Sequence, residues 1–233
     1  GLVQPHGMAL VFSLVPPYTI LQTSDPSQFF SCNHIDVLGR PLAEIFSARA
    51  ITEILRLSDE VVRSGTANGR LIASEHDTPC GLLVHIYKSN DFLVMELEKD
   101  EGEFQEGRLA ELLLKLERSI IKSGALLDMT AIAQHLAEYA PSYLGMHFPA
   151  SDIPEQARRL YTMNVVRIIK DIDAKPVSIV PEINPLTGRP LDMSLSALRS
   201  LSPIHIEYLR NIGVQASMTI SLLNNGKLWG LIA

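Results

Sequence analysis

The sequence predicts an α+β fold in two modules, each a central antiparallel sheet with flanking helices. Three observations predict it. Short β-rich runs end at Pro, Gly and Asn-Asp turns, and longer segments place apolar residues at i, i+3, i+4 and i+7. An acidic, polar stretch, "KDEGEFQEG" at 99–107, separates two such series and reads as a linker. The 233 residues suffice for two ordinary domains, and 46% hydrophobic against 20% charged residues describes a core-forming chain. The first module covers residues 1–100 and the second residues 101–233.

In the first module, "GMALVFSLVP" (7–16) and "YTILQTS" (18–24) read as two strands joined at Pro16-Pro17. "HIDVLGRPLAEIFS" (34–47) and "ARAITEILRLSDEVVRSG" (48–65) carry helical spacing. In the second of these, Ile51, Ile54, Leu55, Leu57, Val61 and Val62 cluster on one face, and Gly65 ends it. "GRLIAS", "GLLVHIYKS" and "DFLVMELEKD" follow as three strands, with turns at Pro79-Cys80-Gly81 and Ser89-Asn90-Asp91.

The second module opens on a leucine-rich helical pattern, Leu109, Leu112, Leu113, Leu116, Ile120 and Ile121, broken at Ser123-Gly124. "DMTAIAQHLAEYA" is a further helix. Beyond Pro141 the chain is Pro-rich and polar-studded, and little regular structure is expected before the strands "GVQASMTISLL" and "KLWGLIA". Asn224-Asn225-Gly226 between those strands is a strong hairpin turn.

Composition removes several functions. A net charge of -6 disfavours a nucleic-acid partner. Two cysteines, Cys32 and Cys80, form neither a disulfide framework nor a metal knuckle, which fits a reducing, cytoplasmic setting. No apolar run is long enough to span a membrane, and no signal-peptide pattern is present. His6, His34, His76, His85, His135 and His147 have no metal-ligand spacing. The start at Gly1 and the apolar end "LWGLIA" lead us to expect a fragment of a longer protein.

Three clusters in the second module can carry chemistry. "FPASDIPEQARRLY" (148–161) is a loop stiffened by prolines, able to aim a carbonyl or carboxylate at a ligand; the plainer reading has Asp152 capping the helix that follows. Arg167 in "NVVRIIKDI" and Arg199 in "LSALRSLSP" lie among apolar residues. Singly each reads as a surface arginine with a buried stem. Together with Ser202, His205, Ser217 and Thr219 they describe a pocket for an anionic group, since guanidinium forks suit carboxylates. Finally, in "SLSPIHIEYLRNIG" (200–213), Ser202-Pro203 reads as a helix start, with His205 and Tyr208 on one face. The ligand implied is amphipathic and carboxylated. Ser202, His205 and Asp152 are a poor hydrolase triad, because no G-x-S-x-G elbow occurs.

These residues support a family resemblance. "FPASDIPEQARRLY", "LRSLSPIHIEYLRNIGVQASMTISL" and "LWGLIA" resemble the chromophore-binding domain of phytochromes, and "GLVQPHGMAL" resembles the opening of the PAS domain that precedes it. The motifs occur in the family's order over almost the whole chain. The resemblance implies a PAS domain and then a GAF domain that holds a linear tetrapyrrole. It also implies a figure-of-eight knot, in which the segment ahead of the PAS domain threads a GAF loop. By that resemblance the Asp152 carbonyl meets pyrrole N–H groups, with Ile153 and Pro154 beside it. His205 lies at the rings, and Arg167 and Arg199 clamp propionates with Ser202, Ser217 and Thr219. Phe148, Tyr161 and Tyr208 surround ring D, where photoisomerisation takes place.

Ile204 selects the subtype. Plant-type phytochromes have the bilin-bonding cysteine immediately before this histidine; isoleucine cannot form the thioether. Bacteriophytochromes use a cysteine ahead of the PAS domain and take biliverdin, so the resemblance implies an attachment point upstream of Gly1. Relatives also carry a strand and loop where "AEYA" here runs straight into "PSYLGMHF", so a sheet strand and a pocket tyrosine are missing near 140–141, and a "C-H-H" is expected after "LWGLIA". A homodimer and downstream PHY and kinase output domains are implied for the full-length protein; no kinase motif lies in this chain. The alternative is a non-photoactive PAS–GAF module that binds another small molecule or serves dimerisation, its leucine-rich helix 108–122 packing on a partner or on its own sheet.

Overall fold

Two antiparallel sheets carry the architecture. The computed structural model describes residues 1–30, 33–72, 81–100 and 153–233. The leucine-rich helices, the linker, Phe148, Asp152, both cysteines and the junction near 140–141 lie outside the described residues.

The first sheet has five strands in the order β3-β2-β6-β5-β4: β2 (Gly7–Ser13), β3 (Ile20–Thr23), β4 (Thr66–Ile72), β5 (Gly81–Ser89) and β6 (Phe92–Lys99). Between β3 and β4 run helix α1 (His34–Val37), a 3-10 turn (Leu42–Glu44) and helix α2 (Ala48–Ser64). The helical pattern expected over 34–47 is therefore two short pieces: Gly39 has φ 77° and Pro41 caps the second, so the helix cannot run on. Helix α2 matches its sequence signals. The Ser47 hydroxyl accepts from the Ala50 N–H at 3.3 Å, and Gly65, at φ 87°, ends it. Its buried stripe is Ala50, Ile54, Leu57, Ser58 and Val61; Val62, expected on that face, is 68% exposed. A side chain one residue past the stripe turns about 100° away from the sheet.

Strands β2 and β6 are apolar almost throughout because both faces of this sheet are covered. Met8, Leu10, Phe12, Leu93, Met95 and Leu97 pack with Ile54 and Leu57 of α2. Ala9, Val11, Tyr87, Phe92 and Val94 form a second core with Val3, Ile179, Leu191, Met193 and Leu198. The second face is thus closed by residues drawn from the C-terminal half of the chain. The approach is close: a methyl group at Gly7 would overlap the Leu198 side chain. Residues Gly1–Asp100 and Pro154–Ala233 form one compact unit.

A short strand, β1 (Leu2–Val3), runs between two stretches of that covering loop. On one side it pairs with β8 (Val177–Ser178). On the other, the Gln4 N–H donates to the Leu198 carbonyl (2.8 Å) and the Ser200 N–H to the Leu2 carbonyl (2.9 Å). This is the placement on which a threaded path depends.

The second sheet, among the described residues, has the order β10-β9-β7, with β7 (Val166–Ile169), β9 (Ser217–Asn224) and β10 (Lys227–Ile232). Asn225 (φ 50°) and Gly226 (φ 73°) make the expected hairpin turn. Two helices join this sheet, α3 (Glu155–Met163) and α4 (Pro203–Asn211). The region after Pro141 is thus more regular than its proline content predicts, and two of its prolines open helices: Pro154 is the N-cap of α3 and Pro203 lies in the first turn of α4.

Candidate functional site

The candidate site gathers where β7, β9, α3, α4 and the loop 196–200 meet. Strand β7 reads V-R-I-I, and its alternation buries Arg167 and Ile169 while Val166 and Ile168 stay exposed. Antiparallel pairing sets Arg167 opposite Thr219 and Ile169 opposite Ser217. Ser217, Thr219 and Ser221 follow at period two, so one face of β9 carries a row of hydroxyls. The Ser221 hydroxyl is buried and has no hydrogen-bond partner among the described residues.

Arg167 is not a surface arginine: it is 8% exposed. Its guanidinium donates to the Ser196 (3.4 Å) and Ala197 (3.2 Å) carbonyls and to that of Arg199. Burial, and then the nearby Arg199 charge, lower its pKa to about 10, so it remains a cation at neutral pH. Burial also lowers Arg199, opposed by Tyr161, Tyr87 and Asp192. Among the described residues neither arginine forms a salt bridge. Two cations that repel each other inside the protein are a standing attraction for an anion.

Helix α4 starts as the sequence predicts. The Ser202 hydroxyl accepts from the His205 N–H at 3.3 Å, and Gly213, at φ 75°, follows the last turn. His205 and Tyr208 stack, with ring centroids 6.1 Å apart. Burial and then Arg167 lower the His205 pKa, which favours the neutral imidazole. Tyr208 packs with Ile169, Ile172 and Leu209. Tyr161 is half-buried on α3, and its phenol acts electrostatically on both arginines. Ile204 is 78% exposed. The structure thus brings together Arg167, Arg199, Tyr161, His205 and Thr219, with Ser217 on the same strand face. Ile153 and Pro154 lead into α3. The N-cap of α3 is Pro154, with extended backbone and no side-chain cap bond of its own; the expected cap residue, Asp152, lies outside the described residues.

Two residues at the site escaped sequence reasoning. Glu96 on β6 is 2% exposed. It accepts from the Ser196 hydroxyl, from the Ala197 N–H (2.9 Å) and from the Leu198 N–H (3.3 Å). Its signal was present: a carboxylate at a period-two position between Met95 and Leu97 of the otherwise apolar run in "FLVMELEK". Ser221 was legible too, as the next step of the Ser217–Thr219 alternation.

Glu96 sets a pH dependence. Burial pushes its carboxyl up to about 7, against the pull of the Ser196 hydroxyl and two backbone amides. Glu98, Arg167 and Tyr87 are the charged and titratable groups coupled to it, and Asp192 and Arg199 act in turn on Tyr87. Its pKa in the fold is raised above the ordinary 4.5, so its contribution to stability is complete below pH 4.5 and is lost as pH rises through about 7. His205 and His85, lowered by burial, act in the opposite sense below their ordinary 6.5. The measurement is therefore a difference: the melting temperature of the wild type relative to Glu96→Gln should fall between pH about 4.5 and about 8. A difference that does not change with pH would refute this.

Comparisons with known proteins follow the same layout. A GAF domain family matches residues 108–233, and a PAS fold family matches residues 1–100. Cyanobacterial phytochrome B of Nostoc sp. is 38% identical over 273 residues, covering all of this chain and 35% of that protein. A bacteriophytochrome of Pseudomonas aeruginosa is 53% identical over 102 residues, 44% of this chain and 14% of that protein. The chain thus spans about a third or less of these relatives' length. Among solved structures, the chromophore-binding domain of an unusual bacteriophytochrome from R. palustris superimposes with TM-score 0.77 at 27% identity, covering 99% of this chain and 84% of that chain. The chromophore-binding domain of a Stigmatella aurantiaca phytochrome gives 0.72 at 30% identity, with 99% and 85% covered.

Proposed function

The chain belongs to the phytochrome family as a PAS–GAF photosensory module, and on that premise we propose that it binds biliverdin and senses red and far-red light. When bound, the bilin supplies visible absorption and isomerisation at the methine bridge between its last two rings. The protein's part is binding and orientation. The observation that carries the reading is the pair of buried and half-buried arginines, Arg167 and Arg199, beside the hydroxyl row of Ser217, Thr219 and the unpartnered Ser221. That set fits two propionates better than any neutral ligand.

In this reading Arg199 takes a propionate directly, with Ser202, Ser217 and Thr219 as smaller donors. Arg167, whose fork lies on backbone carbonyls, contributes charge and holds the wall. His205, kept neutral by burial, offers one N–H and one acceptor to the ring system. Tyr161 and Tyr208, with Phe148, enclose ring D, and Asp152, Ile153 and Pro154 take the positions that the family motif gives them. Signalling through PHY and kinase domains, homodimerisation and a cytoplasmic setting belong to the same proposal; the low cysteine usage accords with the last. Among the described residues no helix is long and apolar enough to cross a membrane.

The test is to mix the purified chain with biliverdin and record its spectrum. A red or far-red band is expected, weakened or shifted by Arg199→Ala. Zinc-induced fluorescence of the denatured band is expected to be absent for the chain Gly1–Ala233, because Ile204 carries no sulfur, neither Cys32 nor Cys80 stands at an attachment position, and the implied attachment point lies upstream of Gly1. A wild-type chain without a red or far-red band would sink the proposal, and an unchanged Arg199→Ala spectrum and occupancy would remove the clamp.

A further inference from the structure

We infer that Glu96, a residue of the PAS sheet, is a positioning residue for Arg199 in the GAF pocket. The inference rests on the bilin reading of Arg199 and adds the device that holds its backbone. The loop 196–200 has neither helix nor strand to fix it. Hydrogen bonds from three other elements set its path. Strand β1 pairs with it through Gln4 and Leu2. Arg167 takes its acceptors, the carbonyls of Ser196, Ala197 and Arg199. Glu96 takes its donors: one carboxylate oxygen accepts from the Ser196 hydroxyl, and the other from the Ala197 and Leu198 amides.

The division is chemical. An arginine has only donors, and both Glu96 oxygens serve here as acceptors, so the two saturate opposite edges of one short segment. Glu96 spends both oxygens on this loop; on the same strand face Glu98 pairs with His6 and Lys170, and Val94 and Phe92 are apolar and serve the second core. A leucine there would pack with them and would leave two buried amides and a hydroxyl without an acceptor. The held segment ends one residue before Arg199. Arg199 itself is held only through its backbone, by Arg167 at its carbonyl and by the bridge to Val3, so loosening Ala197 and Leu198 removes one side of the frame that sets the Arg199 Cα and the reach of its guanidinium.

The experiment compares Glu96→Leu, Glu96→Gln and Ser196→Ala in the chain Gly1–Ala233. Hydrogen exchange of the peptide covering 196–200 is measured without ligand, and biliverdin affinity is measured by absorbance titration. In Glu96→Leu, exchange should speed up and affinity should fall, each by about tenfold. Glu96→Gln should restore both, because its carbonyl can take the two amides and its NH2 can donate to the Ser196 oxygen. Ser196→Ala, which removes a single donor, should give a smaller rise in exchange even if Glu96→Leu fails to fold. In an Arg199→Ala background, Glu96→Leu should cause no further loss of affinity, since a residue acting through Arg199 has nothing left to position. Unchanged exchange in Glu96→Leu or Ser196→Ala overturns the latch, whether or not biliverdin binds. Additive losses with Arg199→Ala, or no rescue by glutamine, overturn the positioning role. A wild type that takes up no biliverdin overturns the pocket reading and the role toward its ligand, while exchange still judges whether Glu96 holds the loop.

Discussion

Arg167→Met is expected to destabilise the protein by about 3 kcal/mol and to weaken biliverdin binding by about a hundredfold. Two effects oppose each other. Methionine relieves the burial of a cation that has no salt bridge among the described residues, which favours the variant. Against this, three carbonyls of the loop 196–199 lose their donor, and Glu96 loses a nearby positive charge. Unsatisfied buried groups cost about 1–3 kcal/mol each, so the loss outweighs the relief. Urea unfolding measures the first effect, with Trp229, the chain's one tryptophan, reporting on the second sheet. Arg167→Lys separates charge from fork: it keeps the cation and should recover part of the binding and little of the stability. A Met variant as stable as the wild type would show that the arginine does not hold the loop.

Phe12→Ala should have the other large effect, about 3–5 kcal/mol of stability. Phe12 is fully buried among Met8, Leu10, Ile54, Leu57 and Met95 on the helix-covered face of the first sheet. The same strand carries Ala9 and Val11 into the second core, where Leu198 packs. Loosening β2 should therefore reach the loop 196–200 as well, and biliverdin uptake should fall with stability. Val62→Ala on α2 is the control. Val62 is 68% exposed, and its truncation should change the unfolding free energy by no more than about 0.5 kcal/mol. A Phe12→Ala chain within about 1 kcal/mol of the wild type would contradict the core assignment.

Helix α2 was legible from a stripe and a terminal glycine, and the β9–β10 hairpin from Asn-Gly, because each signal is local. The break in 34–47 was read through as one helix, since apolar spacing outweighed a glycine and a proline that were in plain view. Beyond Pro141 the helices after Pro154 and at Ser202-Pro203 were legible from their starts, whereas the two-residue strand β8 was not, because its partner β1 lies at the far end of the chain. At the site, Ser202 and His205 announced themselves by helical spacing, and Arg167 by standing alone among apolar residues. What Arg167 holds was hidden, because its partners are backbone carbonyls some thirty residues on, and a carbonyl carries no sequence signature.

By itself the sequence determined the two-module α+β class, most of the strand and helix faces, the arginines and hydroxyls from which an anion pocket is proposed and, through Ile204, the absence of a thioether-forming sulfur beside His205. Period, caps and side-chain chemistry are properties of neighbouring residues, and they survive without a fold. Only the tertiary structure decided that the second face of the PAS sheet is closed by residues 179–198, that β1 lies between two stretches of that loop, and that Glu96 and Arg167 grip it from opposite edges. Glu96 and Ser196 are a hundred positions apart along the chain. No periodicity spans that distance. Such a contact exists because two sheets must bury their apolar faces at once, and the few polar groups caught between them must find one another.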